Sequence, residues 1–192
     1  MGRKPKEKIE KKPVVSGEAE GPGKDTKERV PDWGAKGFFR VKAILRLTTP
    51  MLGSTPSTTK DGLTIFYRDT KGNIYLPEGY LRGALRDSAH YVGVPKTVKD
   101  VLRVSNVRHD FKGKPDLFQY TGSPSGRGVI GLYERLPVGV TIEAEFIVPK
   151  VKYDINLFRK HLEYAGEFCG LGSLRKQHGA GKFELCSVEE VN

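Results

Sequence analysis

The stretch GFFRVKAILRLTT, residues 37 to 49, alternates without a break: Phe39, Val41, Ala43, Leu45 and Leu47 fall on one side, and Phe38, Arg40, Lys42, Ile44 and Arg46 on the other. A period of two belongs to a pleated strand, whose successive side chains leave opposite faces. One face must find a core, and the other carries three bases toward solvent. The pattern returns in VIGLYERLPVGVTIEAEFIVP, 129 to 149, which reads as a strand, a Leu136-Pro137-Val138-Gly139 turn and a second strand. In that second strand Val140, Ile142, Ala144, Phe146 and Val148 alternate with Thr141, Glu143, Glu145 and Ile147.

Half-buried strands need an apolar cover, and two segments can supply it. In PEGYLRGALRDSAHYVG, 77 to 93, Leu81, Ala84, Leu85, Ser88 and Ala89 share a helical face, with Arg82 and Arg86 four apart on another side. Pro77 with Glu78 suits the start of this helix, and Gly93 with Pro95 its end. Gly83 inside it costs about 1 kcal/mol relative to alanine, so close approach of another group is expected there. In DINLFRKHLEYAGEF, 154 to 168, Ile155, Phe158, Leu162 and Ala165 form the stripe and Asp154 is placed to cap it.

DVLRVSNVRH, 100 to 109, is strand-like and carries Arg103 and Arg108; GKFELCSVEEV closes the domain as its last strand. LTIFYRDTKGNIYLP, 63 to 77, reads as a hairpin turning at Lys71-Gly72-Asn73, PMLGSTPSTTKDG as a loop, and DFKGKPDLFQYTGSPSGRG, 110 to 128, as a long irregular insertion. Without the insertions at 50–77 and 110–128, the order is strand, helix, strand, strand, helix, strand. The expected class is α+β, a ferredoxin-like (RRM-like) βαββαβ core with an antiparallel sheet, both helices on one face and the other face free and partly basic.

Residues 1–36 hold ten Lys or Arg and seven Asp or Glu with almost no apolar periodicity. They read as a basic, mostly disordered arm that becomes ordered on a partner, ahead of a domain spanning 37–192. The whole chain of 192 residues has a formal charge of +10, which favours an anionic partner. No apolar run approaches about 18 residues, so a soluble, cytoplasmic protein with no membrane partner is expected. Cys169 and Cys186 leave a disulfide open; with His178 between them they make at most three metal ligands. Neither a metal site nor a cofactor is expected.

The segment GEFCGLGSLRKQHGAGKFEL, 166 to 185, frames Arg175, Lys176 and His178 with Gly170, Gly172, Gly179 and Gly181. A dinucleotide-binding glycine loop follows a strand and opens a helix; this one follows a helix and enters a strand. Ser173 likewise lacks the strand-to-helix elbow of a hydrolase nucleophile. Two readings remain for the glycines. Either they let the backbone and its N–H groups, with Arg175, Lys176 and Lys182, approach a phosphate chain, or they end the helix and bulge into the sheet edge.

IYLPEGYLRGALRDSA resembles the first-helix signature of the repeat-associated RNA-binding (RAMP) superfamily of CRISPR systems, and GEFCGLGSLRKQHGAGKFEL is similar to its C-terminal glycine-rich loop. ERLPVGVTIEAEF resembles the strand pair that precedes that loop, and the likeness spans roughly residues 38–188. Within the superfamily it looks closer to the backbone subunits that line up along a guide RNA than to the repeat-cleaving endonucleases. The resemblance implies a ferredoxin-like core, guide-RNA binding through Arg82, Arg86 and the 170–182 loop, and single-stranded RNA with further copies or related subunits as partners. Glu78 to Tyr80 depart from the pattern where a small hydroxyl residue is usual.

For metal-free RNA cleavage, histidine titrates in the useful range, and His109 and His178 are the candidates. His161 reads as a solvated helix residue and His90 as a cation at a helix end. The resemblance adds Asp61, which lies in the loop where some backbone subunits carry a cleaving aspartate. Among the aromatics, Tyr67 and Tyr80 are offered as base-stacking residues. The leading expectation is a non-enzymatic subunit that coats single-stranded guide RNA. The alternatives are a metal-independent endoribonuclease acting on repeat RNA, and a structural or assembly protein of a mobile element that kept the fold without RNA binding.

Overall fold

The computed structural model describes residues 37–57, 62–96, 102–122 and 129–191. The expectations for the 1–36 arm and for Asp61 fall outside the described residues.

The alternating segments form the strands they predict. β1 (Phe38–Leu47) and β10 (Thr141–Pro149) pair antiparallel in one register along their whole length, Phe39 opposite Val148 and Leu45 opposite Ile142. β7 (Arg103–His109) flanks β10, and β11 (Phe183–Val191) flanks β1, giving an antiparallel sheet in the order β11-β1-β10-β7. Helix α1 (Glu78–Ser88) lies between β1 and β7 in the chain, and α2 (Ile155–Tyr164) between β10 and β11. This is an α+β fold consistent with a ferredoxin-like core.

Both helices bury the faces their periodicity marks. Leu81, Ala84 and Leu85 of α1 and Phe158 and Leu162 of α2 join Val41, Ala43, Leu45, Ile142, Ala144 and Phe146 in one core. Each large apolar side chain withdrawn from water there contributes roughly 1.5–3 kcal/mol. Phe146 and Phe158 meet edge to face at 5.2 Å, a geometry that adds about 1 kcal/mol. Asp154 caps α2, its Oδ1 accepting from the Leu157 N–H at 2.7 Å. Past Tyr164 the helix widens into a π turn, Ala165–Cys169.

His161 overturns its expected place in solvent. It sits inside the core with no exposed surface; Tyr153 Oη donates to Nδ1 at 2.7 Å, and Nε2–H donates to the Leu85 carbonyl at 2.8 Å. With both ring nitrogens satisfied, an imidazole joins α2 to α1 through the Leu85 carbonyl, which also accepts from Ser88 Oγ at 3.3 Å. Burial pushes its pKa down to about 4, against the raising effect of the Leu85 carbonyl, so the ring is neutral.

The insertions are more regular than their composition suggests. Residues 110–128, expected to be irregular, contain β8 (Asp116–Gly122), which pairs antiparallel with β9 (Val129–Leu136). Although β9 leads into β10 through a short turn, it belongs to a second, mixed sheet. β8 lies along one side of β9, with β2 (Met51–Leu52) and then β4 (Leu63–Ile65) along the other, and β3 (Thr55–Pro56) beyond. β5 (Tyr67–Arg68) and β6 (Ile74–Tyr75) make the expected hairpin. The Asp69 carboxylate fixes its turn by accepting from the Lys71 and Asn73 N–H groups. Since β2 follows β1 and β9 precedes β10, this second sheet grows from one end of the main one.

The open face of the main sheet is less basic than its β1 pattern implies. Lys42 pairs with Glu143 at 3.1 Å and Arg46 with Glu184, and Lys42 is flanked in register by Glu145 and Glu189. Cross-strand carboxylates thus answer Lys42 and Arg46, while Arg40 stands opposite Ile147 and Val191.

Candidate nucleic-acid interface

Helix α1 carries two adjacent rows at a spacing of four, Arg82 with Arg86 and Gly83 with Asp87. The glycine segment returns across the second row. After the π turn the chain makes a tight loop and a short helix, α3 (Arg175–His178), which brings Arg175 over α1. A Cβ on Gly83 would stand 3.1 Å from Arg175 Nη1, so glycine there makes room for a guanidinium. Arg175 Nη2 donates to Asp87 Oδ2 at 2.8 Å, Lys176 Nζ reaches the same oxygen at 3.0 Å, and Arg86 Nε donates to Oδ1 at 2.9 Å.

One carboxylate therefore gathers three cations from segments far apart in the sequence. Burial alone would raise the Asp87 pKa, but hydrogen bonds from Arg86 and Lys176 and the nearby charge of Arg175 outweigh it and hold the pKa at about 2. The Arg175 side chain is 17 % exposed, against 41 % for Arg86 and 64 % for Lys176. Arg175 acts as a strut, while the other two keep their head groups in water. Three cations around one carboxylate leave the patch a surplus of positive charge, which favours a polyanion.

The glycine loop is folded onto its own chain. The N–H groups of Gly170, Leu171, Ser173 and Gly181 donate to the carbonyls of Ala165, Gly181, Leu52 and Pro50. Gly172 (φ 76°) and Gly181 (φ 67°) lie against backbone: a Cβ would fall 2.3 Å from the Leu52 carbonyl oxygen and 2.1 Å from that of Leu171. Compaction accounts for these glycines, and the loop offers a partner its side chains. Lys182 donates from its backbone N–H to Thr49 Oγ1 at 2.8 Å, and its stem passes beside Gly179.

The remaining predicted residues lie elsewhere. Arg103 and Arg108 sit on the edge strand β7, Arg108 opposite Glu143. His109, at the end of β7, lines a cleft of about 430 Å³ with Arg68, Lys112, Lys114 and Glu134. Its Nε2 bonds the Ile74 carbonyl at 3.0 Å, and its buried Nδ1 has no hydrogen-bond partner. His178 is exposed and meets the Tyr120 ring at a tilt, ring centroids 4.5 Å apart. It lines a different cavity, with Phe118 and Arg135. The two histidine candidates thus belong to separate sites. Tyr80 hydrogen-bonds Ser54 through its hydroxyl and packs against the core, whereas Tyr67 is exposed. Cys169 is buried and Cys186 exposed, both as free thiols. Among the described residues no group of three His, Cys, Asp or Glu side chains could hold a metal ion, and no helix is long and apolar enough to cross a membrane.

Sequence reasoning passed over Asp87, although it sits beside Arg86 in the helix motif. It also passed over Arg135 in β9, and over Phe118 and Tyr120, whose signal was a brief alternation, DLFQYT, inside a stretch rich in glycine and proline.

No protein-family model matches the chain, and no curated protein matches it. In fold it is similar to a chain of the solved structure titled "Cryo-EM structure of the Type III-B Cmr-beta bound to cognate target RNA", with a TM-score of 0.53 and 17 % identity over 81 % of this chain. The matched part is 61 % of that chain's length.

Proposed function

We propose that this chain is a non-catalytic RNA-binding subunit of a CRISPR-type ribonucleoprotein, coating single-stranded guide RNA alongside copies of itself or related backbone subunits. The observation that carries this reading is the Asp87 cluster, which joins the two motifs resembling the RAMP superfamily into one cationic surface. The fold likeness to a chain of an RNA-bound Type III-B complex supports it, as does the order β11-β1-β10-β7 with a helix before β7 and another before β11, which we read as a βαββαβ core. Residues 37–192 form the RNA-binding domain in this account, and residues 1–36 a basic arm. Phosphate contacts from Arg82, Arg86, Lys176 and Lys182 bind without regard to sequence, leaving base edges free for pairing.

The test is the absorbance ratio at 260 and 280 nm of the purified protein before and after a 1 M salt wash, with sizing of whatever is released. RNA of defined length that leaves with salt supports the proposal. A preparation that is free of RNA and does not take up added RNA overturns it.

The unpartnered His109 Nδ1 in a cleft with Lys112 and Lys114 favours a second reading, a metal-independent endoribonuclease. Cleavage of labelled repeat RNA in EDTA that vanishes in His109→Ala would establish it; intact RNA would exclude it.

A further inference from the structure

The cleft at the end of β7 assembles positive charge a second time, with none of the residues of the Asp87 cluster in its lining. It measures about 430 Å³, inside the roughly 300–1,000 Å³ of pockets that take small organic molecules. The β5–β6 hairpin contributes Arg68 and its turn, β7 ends there on His109, and the 111–115 loop brings Lys112 and Lys114.

The walls are fixed in place. Glu134 Oε2 accepts from the Phe66 N–H at 2.8 Å and its Oε1 from Arg68 Nη2, so the carboxylate is fully engaged and holds the guanidinium. Asp69 Oδ2 accepts from Asn73 Nδ2 at 3.0 Å across the hairpin turn. Asp110 Oδ1 accepts from the Thr141 N–H at 2.9 Å and ties the start of the 111–115 loop to β10. Phe111 packs against the core, and its ring would stand 3.2 Å from a Cβ on Gly113.

The charges in the cleft do not cancel. Glu134 answers Arg68, whereas Lys112 and Lys114 are exposed and, among the described residues, no carboxylate pairs with either. Two ammonium groups without a counter-charge match a phosphomonoester, which carries about −1.5 to −2 at neutral pH. His109 adds a selection. Its Nε2–H donates to the Ile74 carbonyl at 3.0 Å, which makes Nδ1 the acceptor of the ring, and Nδ1 has no donor. A buried acceptor left open calls for one; a sugar hydroxyl, met by a slight turn of the imidazole, supplies it.

We propose that this cleft binds a ribose phosphomonoester, with its phosphate on Lys112, Lys114 and Arg68 and a sugar hydroxyl on His109 Nδ1. A free mononucleotide and the phosphorylated end of an RNA strand both present this chemistry. The site goes beyond the RNA-coating reading and does not depend on it, and no bond of the ligand is broken.

Isothermal titration calorimetry of the full chain compares uridine monophosphate, ribose 5-phosphate, uridine and inorganic phosphate. The two ribose phosphates are expected to saturate one site per chain, each at least about tenfold tighter than uridine or inorganic phosphate. Lys112→Gln with Lys114→Gln should weaken both by about tenfold or more with thermal unfolding unchanged, and His109→Phe should bring ribose 5-phosphate down toward inorganic phosphate. Oligouridylates with and without a 5′-phosphate then identify the source. A phosphate-dependent gain that uridine monophosphate competes away assigns the site to a strand end, and no gain assigns it to the free nucleotide; either supports the site. No saturable binding of the ribose phosphates, affinity equal to that of inorganic phosphate, or affinity unchanged in the double-lysine variant overturns it. A preference that survives His109→Phe overturns the hydroxyl contact. Failure of the cleft to bind leaves the RNA-coating reading standing, since these titrations do not touch the Asp87 cluster.

Discussion

Arg175 donates to Asp87 across 88 positions of sequence, at 2.8 Å, with its guanidinium lying over Gly83. This pair fixes the glycine segment to α1, and through it Lys176 and Arg86 share one carboxylate.

Asp87→Asn keeps a polar group of the same size and removes the central charge. The Asp87 pKa is lower in the folded chain than in the unfolded one, so its stabilisation is complete above about pH 4 and disappears as pH falls through about 2. The substitution is expected to cost on the order of 2 kcal/mol at neutral pH, read from urea midpoints. RNA affinity in the same variant should rise, because three cations lose their internal counter-charge.

His161 shifts the pH profile over a different range. Its folded pKa of about 4 lies below the ordinary value, so the unfolded chain takes up the proton first. Stability is therefore full above about pH 6.5 and falls by up to about 3 kcal/mol as pH drops to about 4. Chemical denaturation at a series of pH values should show this loss in wild-type protein and a flatter profile in His161→Gln.

The glycine loop predicts two unequal substitutions. Gly181→Ala would place a Cβ 2.1 Å from the Leu171 carbonyl oxygen at a positive φ, and should cost about 3 kcal/mol or more. Gly179→Ala meets only the end of the Lys182 stem, at 3.3 Å, and should cost about 1–2 kcal/mol from φ alone. Thermal unfolding of the two variants ranks them.

The open sheet face supplies a control. Lys42 is paired with Glu143 at 3.1 Å, so Lys42→Ala should leave RNA affinity within about twofold of wild type, measured by anisotropy at a fixed salt concentration.

The elements with unbroken periodicity were legible: the alternation of β1 and β10 and the stripes of α1 and α2 carry their own burial, and Asp154 announced its cap. Gly83 signalled a close approach, without naming Arg175 as the group that approaches. His161 was misread because Arg159 and Lys160 beside it suggest solvent, whereas its ring is claimed by Tyr153 and Leu85, contacts that depend on how two helices meet. β8 was hidden because Gly113, Pro115 and Gly122 around it read as loop chemistry, and a strand's register partner is not visible along the chain. The contact of Tyr120 with His178 and the clustering of cations at Asp87 are likewise products of tertiary return.

The most direct measurement of the central claim is the salt dependence of single-stranded RNA binding by wild-type protein and by Arg86→Ala and Lys176→Ala, the two exposed arms of the Asp87 cluster. The account predicts that each variant binds more weakly on every RNA sequence tried and flattens the slope of log K against log salt by about 0.7. Slopes identical to wild type in both variants would contradict it, and would place the RNA, if bound, somewhere other than the surface shared by α1 and the glycine loop.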